Sequence, residues 1–147
     1  MSSYYIIKSY AVKQNLISRR FAELIWSCEN CKADVYTEAD VIIRKDDDHL
    51  YQVDLIVDIN AMTADVKTSV YDIHIIYSSH VFIDDLTTDK EKEDILTVEV
   101  PNKTTSNIRE IVKQLTANAG YTPLQIDDFH FSHRMRKSKR DKKSAIN

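Results

Sequence analysis

The chain has 147 residues, a mass of 17.1 kDa and 43% hydrophobic residues, which predicts one folded domain with a single core and excludes a disordered chain. One glycine and two prolines disfavour glycine-rich phosphate loops, so nucleotide chemistry is not expected. The formal net charge is −3, with an acidic body that disfavours binding of nucleic acid by the protein as a whole.

Neither a secretory signal nor a membrane span is expected. The opening MSSYYIIKSYAVK is too short and too polar for a secretory signal, and no run reaches the ~18 apolar residues of a membrane span, so we expect a cytoplasmic protein.

The first residues predict a strand. Residues 4–12 alternate loosely, and both faces are apolar. One face would carry Tyr4, Ile6, Tyr10 and Val12, and the other Tyr5, Ile7 and Ala11. This pattern is typical of a strand that is covered on both sides.

Three further strands are predicted between residues 34 and 83. The first carries Val35, Ala39, Val41 and Ile43 on one face and ends at the polar segment 45–48. In the second (51–61) and the third (71–83), apolar side chains occupy nearly every odd position. The short turns between these runs favour an antiparallel meander over a parallel sheet, which would need longer crossovers.

Six large apolar side chains break the alternation because they lie on the polar, even-numbered faces. They are Leu50, Ile56 and Met62 in the second of the three runs and Val70, Ile76 and Phe82 in the third. If the odd face packs on a helix, these side chains need cover from another subunit or from a bound polypeptide. All of them except Val70, together with Trp26 and Phe131, are our candidate substrate-binding residues, and burial at a subunit interface is the competing interpretation.

A helix is predicted near the end of the chain. Residues 84–94 are strongly charged and show no apolar period, which is typical of a solvated connection. A helical stripe then follows, from a start near residue 104 to an end by Gly120, where a left-handed residue is expected. The stripe consists of Ile108, Ile111, Val112, Leu115 and Ala119, with possible N-caps at 104–107. Strands followed by a long helix predict an α+β fold in which the helix packs on an antiparallel sheet.

No catalytic or metal site is indicated by the spacing of reactive residues. Cys28 and Cys31 form a C-x-x-C pair, but no second pair or histidine pair completes four zinc ligands, so two reduced cysteines are favoured over a zinc or redox site. His74 and His80 share a strand face but would lie ~20 Å apart. We find no nucleophile, base and orienting group that the sequence places together, and neither an enzyme nor a cofactor is expected.

The C-terminal tail has the opposite charge to the rest of the chain. Residues 134–147 contain seven basic residues and one acidic residue, a net charge of +6, whereas residues 1–133 carry 13 basic and 22 acidic residues, a net charge of −9. A basic tail can attract phosphate or acidic protein surface, so a nucleic-acid-binding accessory protein is the alternative function. The tail lacks interleaved aromatic residues for base stacking, and a solvated, mobile tail is the simpler interpretation.

The chain resembles the SecB export chaperones over about residues 4–131, and the specific features lie between residues 100 and 129. The similar features are Pro101-Asn102 before the long helix, Arg109-Glu110 within it, and the run GYTPLQIDDF from Gly120 to Phe129. The resemblance implies a four-stranded antiparallel sheet with two helices, the second near residues 86–96, in a homotetramer built as a dimer of dimers. It implies a chaperone domain over 1–131, a separate tail over 132–147, and an ATP-independent holdase for unfolded polypeptides.

Two roles follow from that resemblance. The export chaperones end in a tail that contacts the translocase motor, and the basic residues 134–143 differ from it, so contact with the motor is in doubt. SecB-like proteins also serve as dedicated chaperones of toxin-antitoxin systems, where the partner is one aggregation-prone antitoxin. The altered tail fits this second role at least as well, and the identity of the neighbouring genes would separate the two.

Overall fold

The structure, a computed structural model, describes residues 3–18, 33–63 and 69–126. Four strands form one antiparallel sheet in the order β1-β4-β3-β2. Their bounds are Tyr4–Ser18 (β1), Ala33–Lys45 (β2), Leu50–Thr63 (β3) and Ser69–Ile83 (β4). The predicted meander of three strands is therefore confirmed, and β1 is added to it beside β4.

The odd-numbered side chains of β3 and β4 form the core, as their alternation predicts. Strand β3 contributes Val53, Leu55, Val57 and Ile59, and β4 contributes Tyr71, Ile73, Ile75 and Val81, all at 1% exposure or less. Leu55 lies opposite Tyr77 across the strand pair, which sets the register so that the odd positions of both strands share one face. We call this the odd face of the sheet.

Residues 89–118 form one continuous helical segment in three parts: helix α1 (Asp89–Asp94), a π-helical stretch (Ile95–Glu99) and helix α2 (Val100–Asn118). The residues at both junctions have right-handed helical backbone angles. An architecture with two separate helices is therefore not confirmed. Pro101 follows the π stretch, and its missing N–H is a physical reason for the break in regular α-helical bonding there.

The predicted helix start near residue 104 is wrong, because the helix begins earlier. Thr104 and Thr105 do not cap it; their hydroxyls donate to the carbonyls of Pro101 and Asn102, both at 2.9 Å. The predicted stripe is confirmed, since Ile108 and Val112 are fully buried and the other three residues pack against the core. Within the described residues, no helix is long and apolar enough to span a bilayer.

Helix α2 ends at Asn118, before Gly120 as predicted, and the φ of Gly120 is +90°. The next residue, Tyr121, packs its ring on Tyr71 with centroids 4.8 Å apart and donates a hydrogen bond to Ser18 Oγ at 2.9 Å. Burial, followed by the charge of Tyr121, raises the pKa of Tyr71 to about 12. The chain then turns back along α2, where Arg109 Nε donates to the carbonyl of Ile126 at 3.1 Å.

Strand β1 differs from its prediction in both length and orientation. It extends to Ser18, and irregularities in its pairing with β4 lie between Ile6 and Lys8 and between Ala11 and Lys13. These shifts change which side chains face the core, so Ala11 packs inward while Tyr10 and Val12 are exposed. The expectation of a strand covered on both sides is wrong for the described chain, because β1 is an edge strand with one exposed face.

Candidate functional site

The even-numbered side of the sheet, which we call the open face, lies opposite the odd face that packs on the helices. All five candidate residues of β3 and β4 lie on it: Leu50, Ile56, Met62, Ile76 and Phe82. Leu50 is paired with Phe82, and Ile56 with Ile76. Each of the five is partly buried, so each still presents apolar surface. The structure therefore brings these candidates together, while their role in binding remains a prediction.

The centre of the open face is a shallow apolar cavity. It has a volume of about 370 Å³, and we call it the central cavity. Its lining consists of Val12, Ile42, Ile56 and Ile76 on the apolar side and Arg44, Gln52, Asp54 and Ser78 on the polar side. Val12 and Ile42 were not among the candidates. Ile42 lies between Val41 and Ile43, and such a continuous apolar run hides which residue points to the open face.

A buried carboxylate forms the polar side of the central cavity. Asp54 is only 7% exposed and accepts hydrogen bonds from Ser78 Oγ and, at 2.9 Å, from Gln52 Nε2. Arg44 Nη2 lies 3.9 Å from its second oxygen. A carboxylate in such a position needs these partners, because an unpaired buried charge is costly. The network keeps the cavity polar on one side and apolar on the other.

A second, larger cavity lies toward one end of the open face, and we call it the end groove. Its volume is about 450 Å³, and its exposed apolar side chains are Ile17 and Tyr36. Its ionisable lining residues are Lys13, Glu38, Asp58, Asp72 and His74. His74 Nδ1 lies 2.5 Å from Asp58 Oδ1, and Asn60 Nδ2 donates to Asp72 Oδ1. The groove therefore combines apolar and predominantly acidic groups.

Aromatic stacking covers part of the open face at the opposite end. Phe82 stacks on Tyr5 with ring centroids 5.1 Å apart and contacts the ring of His49 at 5.6 Å. His80 stacks on Tyr10 at 5.7 Å, and the Tyr10 hydroxyl lies 3.0 Å from His80 Nε2. Phe82 therefore already has two aromatic partners within the chain.

Strand β1 carries most of the remaining exposed apolar surface. Among the described residues, five of the seven exposed large apolar side chains lie on it: Tyr5, Ile7, Tyr10, Val12 and Ile17, at 42–58% exposure. The other two are Tyr36 on β2 and Leu86 after β4. Such a concentration on one edge strand is typical of an interaction surface.

The remaining candidates either lie apart or fall outside the described residues. His74 pairs with Asp58 and His80 with Tyr10, and no cluster of three potential metal ligands occurs in the described part of the chain. Trp26, Phe131, the Cys28–Cys31 pair and the basic tail all lie outside the ranges that the structure describes.

Comparison with known proteins gives a family match and a set of similar solved structures. The family described as preprotein translocase subunit SecB matches residues 17–142. A SecB-like chaperone of Mycobacterium tuberculosis, solved with a ChAD peptide from the HigA1 antitoxin, shares 12% identity, with a TM-score of 0.71 over 86% of this chain and 90% of that one. A Streptococcus agalactiae protein of unknown function shares 9% identity, with a TM-score of 0.43 over 86% and 98%. No curated protein sequence matches.

Proposed function

The chain belongs to the SecB family, and from this premise we propose that it is an ATP-independent holdase that binds unfolded polypeptides on the open face of its sheet. The observation that carries the proposal is the apolar surface around Ile56 and Ile76, which the packing of the helices on the odd face leaves accessible. Binding of this kind needs neither a cofactor nor catalysis. We expect it to take place in the cytoplasm.

The physical character of the open face suits clients of varied sequence. Burying apolar client side chains contributes ~25 cal/mol per Å², and this term depends on area rather than on a fixed arrangement of donors and acceptors. Asp54, the buried carboxylate beside the central cavity, already bonds to Ser78 and Gln52. Asp54 therefore does not require a hydrogen-bond donor from the client, and we expect clients of varied sequence to bind.

We propose an antitoxin as the physiological client, ahead of general secretory precursors. The similar Mycobacterium tuberculosis chaperone was solved with an antitoxin peptide, and its fold matches this chain at a TM-score of 0.71. The basic tail of residues 134–143 differs from the tail that export chaperones use for the translocase motor. A gene for a toxin or antitoxin beside this gene would support the antitoxin role, and a position among export genes would oppose it.

We further propose that the protein acts as a homotetramer, a dimer of dimers. Strand β1 is an edge of the sheet and carries five exposed large apolar side chains, which a second copy could cover. The second copy would then border the central cavity and the end groove, whose linings include Val12 and Ile17. The mass in solution, measured by light scattering after size exclusion, tests this assembly directly.

The function itself is tested by protection of a client from aggregation. A chemically unfolded protein is diluted into buffer with and without this chaperone, in the absence of ATP, and light scattering is followed. We expect a stoichiometric decrease in scattering. Failure to protect both general unfolded clients and any antitoxin encoded beside the gene would refute the proposal.

A further inference from the structure

The end groove has the chemistry to bind a positively charged segment of polypeptide. Three carboxylates, Glu38, Asp58 and Asp72, line it against one lysine, Lys13. Asp58 keeps 55% of its side chain exposed beside His74, and Glu38 is exposed on β2. The same groove exposes Ile17 and Tyr36, so the alkyl part of a lysine or arginine side chain would also find apolar contacts.

The chain itself contains a segment of complementary charge. Residues 134–143 hold seven basic residues and one acidic residue, whereas residues 1–133 have a net charge of −9. Opposite charges joined in one chain attract each other at low salt, and this attraction extends over a Debye length of ~10 Å at 0.1 M. The tail is therefore a permanent, tethered candidate for this groove.

The length of chain allows the tail to reach the groove. Ile126 is held on the helix side of the sheet by its hydrogen bond to Arg109, and Arg134 follows eight residues later. Eight extended residues span at most about 26–29 Å. The four-stranded sheet is only ~15 Å between its outer strands, and packed layers lie ~10 Å apart, so a path around one edge is within reach. The basic residues after Arg134 are joined to Ile126 by a longer stretch of chain and can therefore lie still farther from it.

We infer that the basic tail, residues 134–143, occupies the end groove in the absence of a client and competes with clients for the open face. The inference rests on the proposed function, because it concerns regulation of the same surface. A short tether gives an effective concentration of about 1 mM. A tail with an intrinsic dissociation constant of about 0.1 mM would therefore raise the apparent dissociation constant of a client about tenfold.

The first experiment compares two full-length chains. In one, all seven basic tail residues are replaced by glutamine: Arg134, Arg136, Lys137, Lys139, Arg140, Lys142 and Lys143. Binding of a fluorescently labelled, unfolded client with no net charge is measured by anisotropy. We expect the neutral-tail chain to bind about tenfold more tightly at ~50 mM salt and the difference to vanish at ~1 M salt, where the Debye length falls to ~3 Å. A peptide of residues 132–147 should displace the client from the neutral-tail chain, and its all-glutamine counterpart should not.

The second experiment locates the contact. The double substitution Glu38→Gln with Asp58→Asn in the full-length chain should also tighten client binding. When the neutral tail is combined with this double substitution, client affinity should not increase further. The matched control is Glu110→Gln, an exposed carboxylate on α2, which should retain the full effect of the neutral tail.

Three other results would contradict the docking of the tail, the end groove as its site, or the proposed function. Equal client affinity of the wild-type and neutral-tail chains, or weaker binding by the neutral-tail chain, would overturn the inference while leaving the holdase function in place. If the neutral tail still tightens client binding by the full factor in the chain that carries Glu38→Gln and Asp58→Asn, the end groove is not the docking site of the tail. Failure of every chain to bind any unfolded client would overturn the proposed function, and this inference with it.

Discussion

Ile56 and Ile76 lie directly opposite each other on two adjacent antiparallel strands, at the centre of the open face. Side chains in such a pair contact one another and form a continuous apolar surface. Both are partly buried, whereas their sequence neighbours Leu55, Val57, Ile75 and Tyr77 belong to the core. The pair therefore contributes less to folding than the core residues do, and its remaining surface is available for binding.

Replacing both isoleucines by threonine should weaken client binding with little loss of folding. Threonine is also β-branched, so the strand preference is kept while apolar area is removed. A loss of roughly 1 kcal/mol or more of client burial per side chain predicts an affinity at least about 30-fold lower. Anisotropy with an unfolded client measures the affinity, and circular dichroism on heating checks the fold.

The control for that pair is Leu86→Thr. Leu86 is 82% exposed but lies in the connection after β4 and lines neither the central cavity nor the end groove. Its replacement removes a similar apolar side chain and should leave client affinity unchanged. Equal losses in the control and the Ile56/Ile76 variant would show that the open face is not a specific binding surface.

Loss of the buried carboxylate beside the central cavity should destabilise the protein. Asp54→Ala leaves the Ser78 hydroxyl, the Gln52 amide and the nearby Arg44 without their acceptor. We expect the free energy of unfolding to fall by about 2 kcal/mol, which urea denaturation can measure. Glu110→Ala, an exposed site on α2, is the control and should change stability by less than about 0.5 kcal/mol. A similar small change for Asp54→Ala would contradict the role of the network.

The parts of the fold that follow a simple period could be predicted from the sequence. Alternation identified β2, β3, β4 and their core face, and five of the six out-of-phase side chains share the open face. The expectation was wrong for Val70, which is fully buried in the core beside the pairing irregularity between Ala61 and Met62. Strand β1 could not be predicted in detail, because the two pairing irregularities, at Ile6/Lys8 and at Ala11/Lys13, change the phase without a glycine or proline to mark them.

Helix α1 has no apolar period to reveal it, because none of its residues is buried, and only the family resemblance suggested a helix near residues 86–96. A local signal was nevertheless present. Thr88 and Glu91 have the spacing of a capping box, and Thr88 Oγ1 accepts a hydrogen bond from the Glu91 backbone N–H at 3.2 Å. The acidic residues Asp89 and Glu91 in the first turn also favour a helix start.

The turn after α2 should be sensitive to any side chain at residue 120. Gly120 has φ +90°, and an added Cβ would meet no atom within 4 Å, so the cost of Gly120→Ala is purely conformational. We expect a loss of about 1 kcal/mol in the free energy of unfolding. Gly120→Asn should cost less, since asparagine tolerates positive φ better. Equal stability of Gly120→Ala and the wild type in urea denaturation would contradict this backbone requirement.

Tyr71 should make the fold sensitive to alkali. Its pKa is raised from 10.0 to about 12, first by burial and then by Tyr121, so the folded state holds the phenol proton more tightly than the unfolded state. Its contribution to stability is therefore complete below pH 10 and is lost as the pH rises through 12. Urea denaturation between pH 9 and about 12 should show a shallower decline for Tyr71→Phe than for the wild type. Identical slopes would exclude this titration as a cause.

Charges on the outer strand should break the assembly while leaving the subunit folded. Ile7 and Ile17, at 49% and 57% exposure, project from the edge strand β1, and lysine at such positions opposes association of sheets. We expect the double variant Ile7→Lys with Ile17→Lys to have a smaller mass by light scattering than the wild type. Leu86→Lys, which changes a still more exposed residue (82%) outside the sheet, should retain the wild-type mass. An unchanged mass in the double variant would show that the subunit interface does not include these positions of β1. A monomeric wild-type protein would show that no such interface forms.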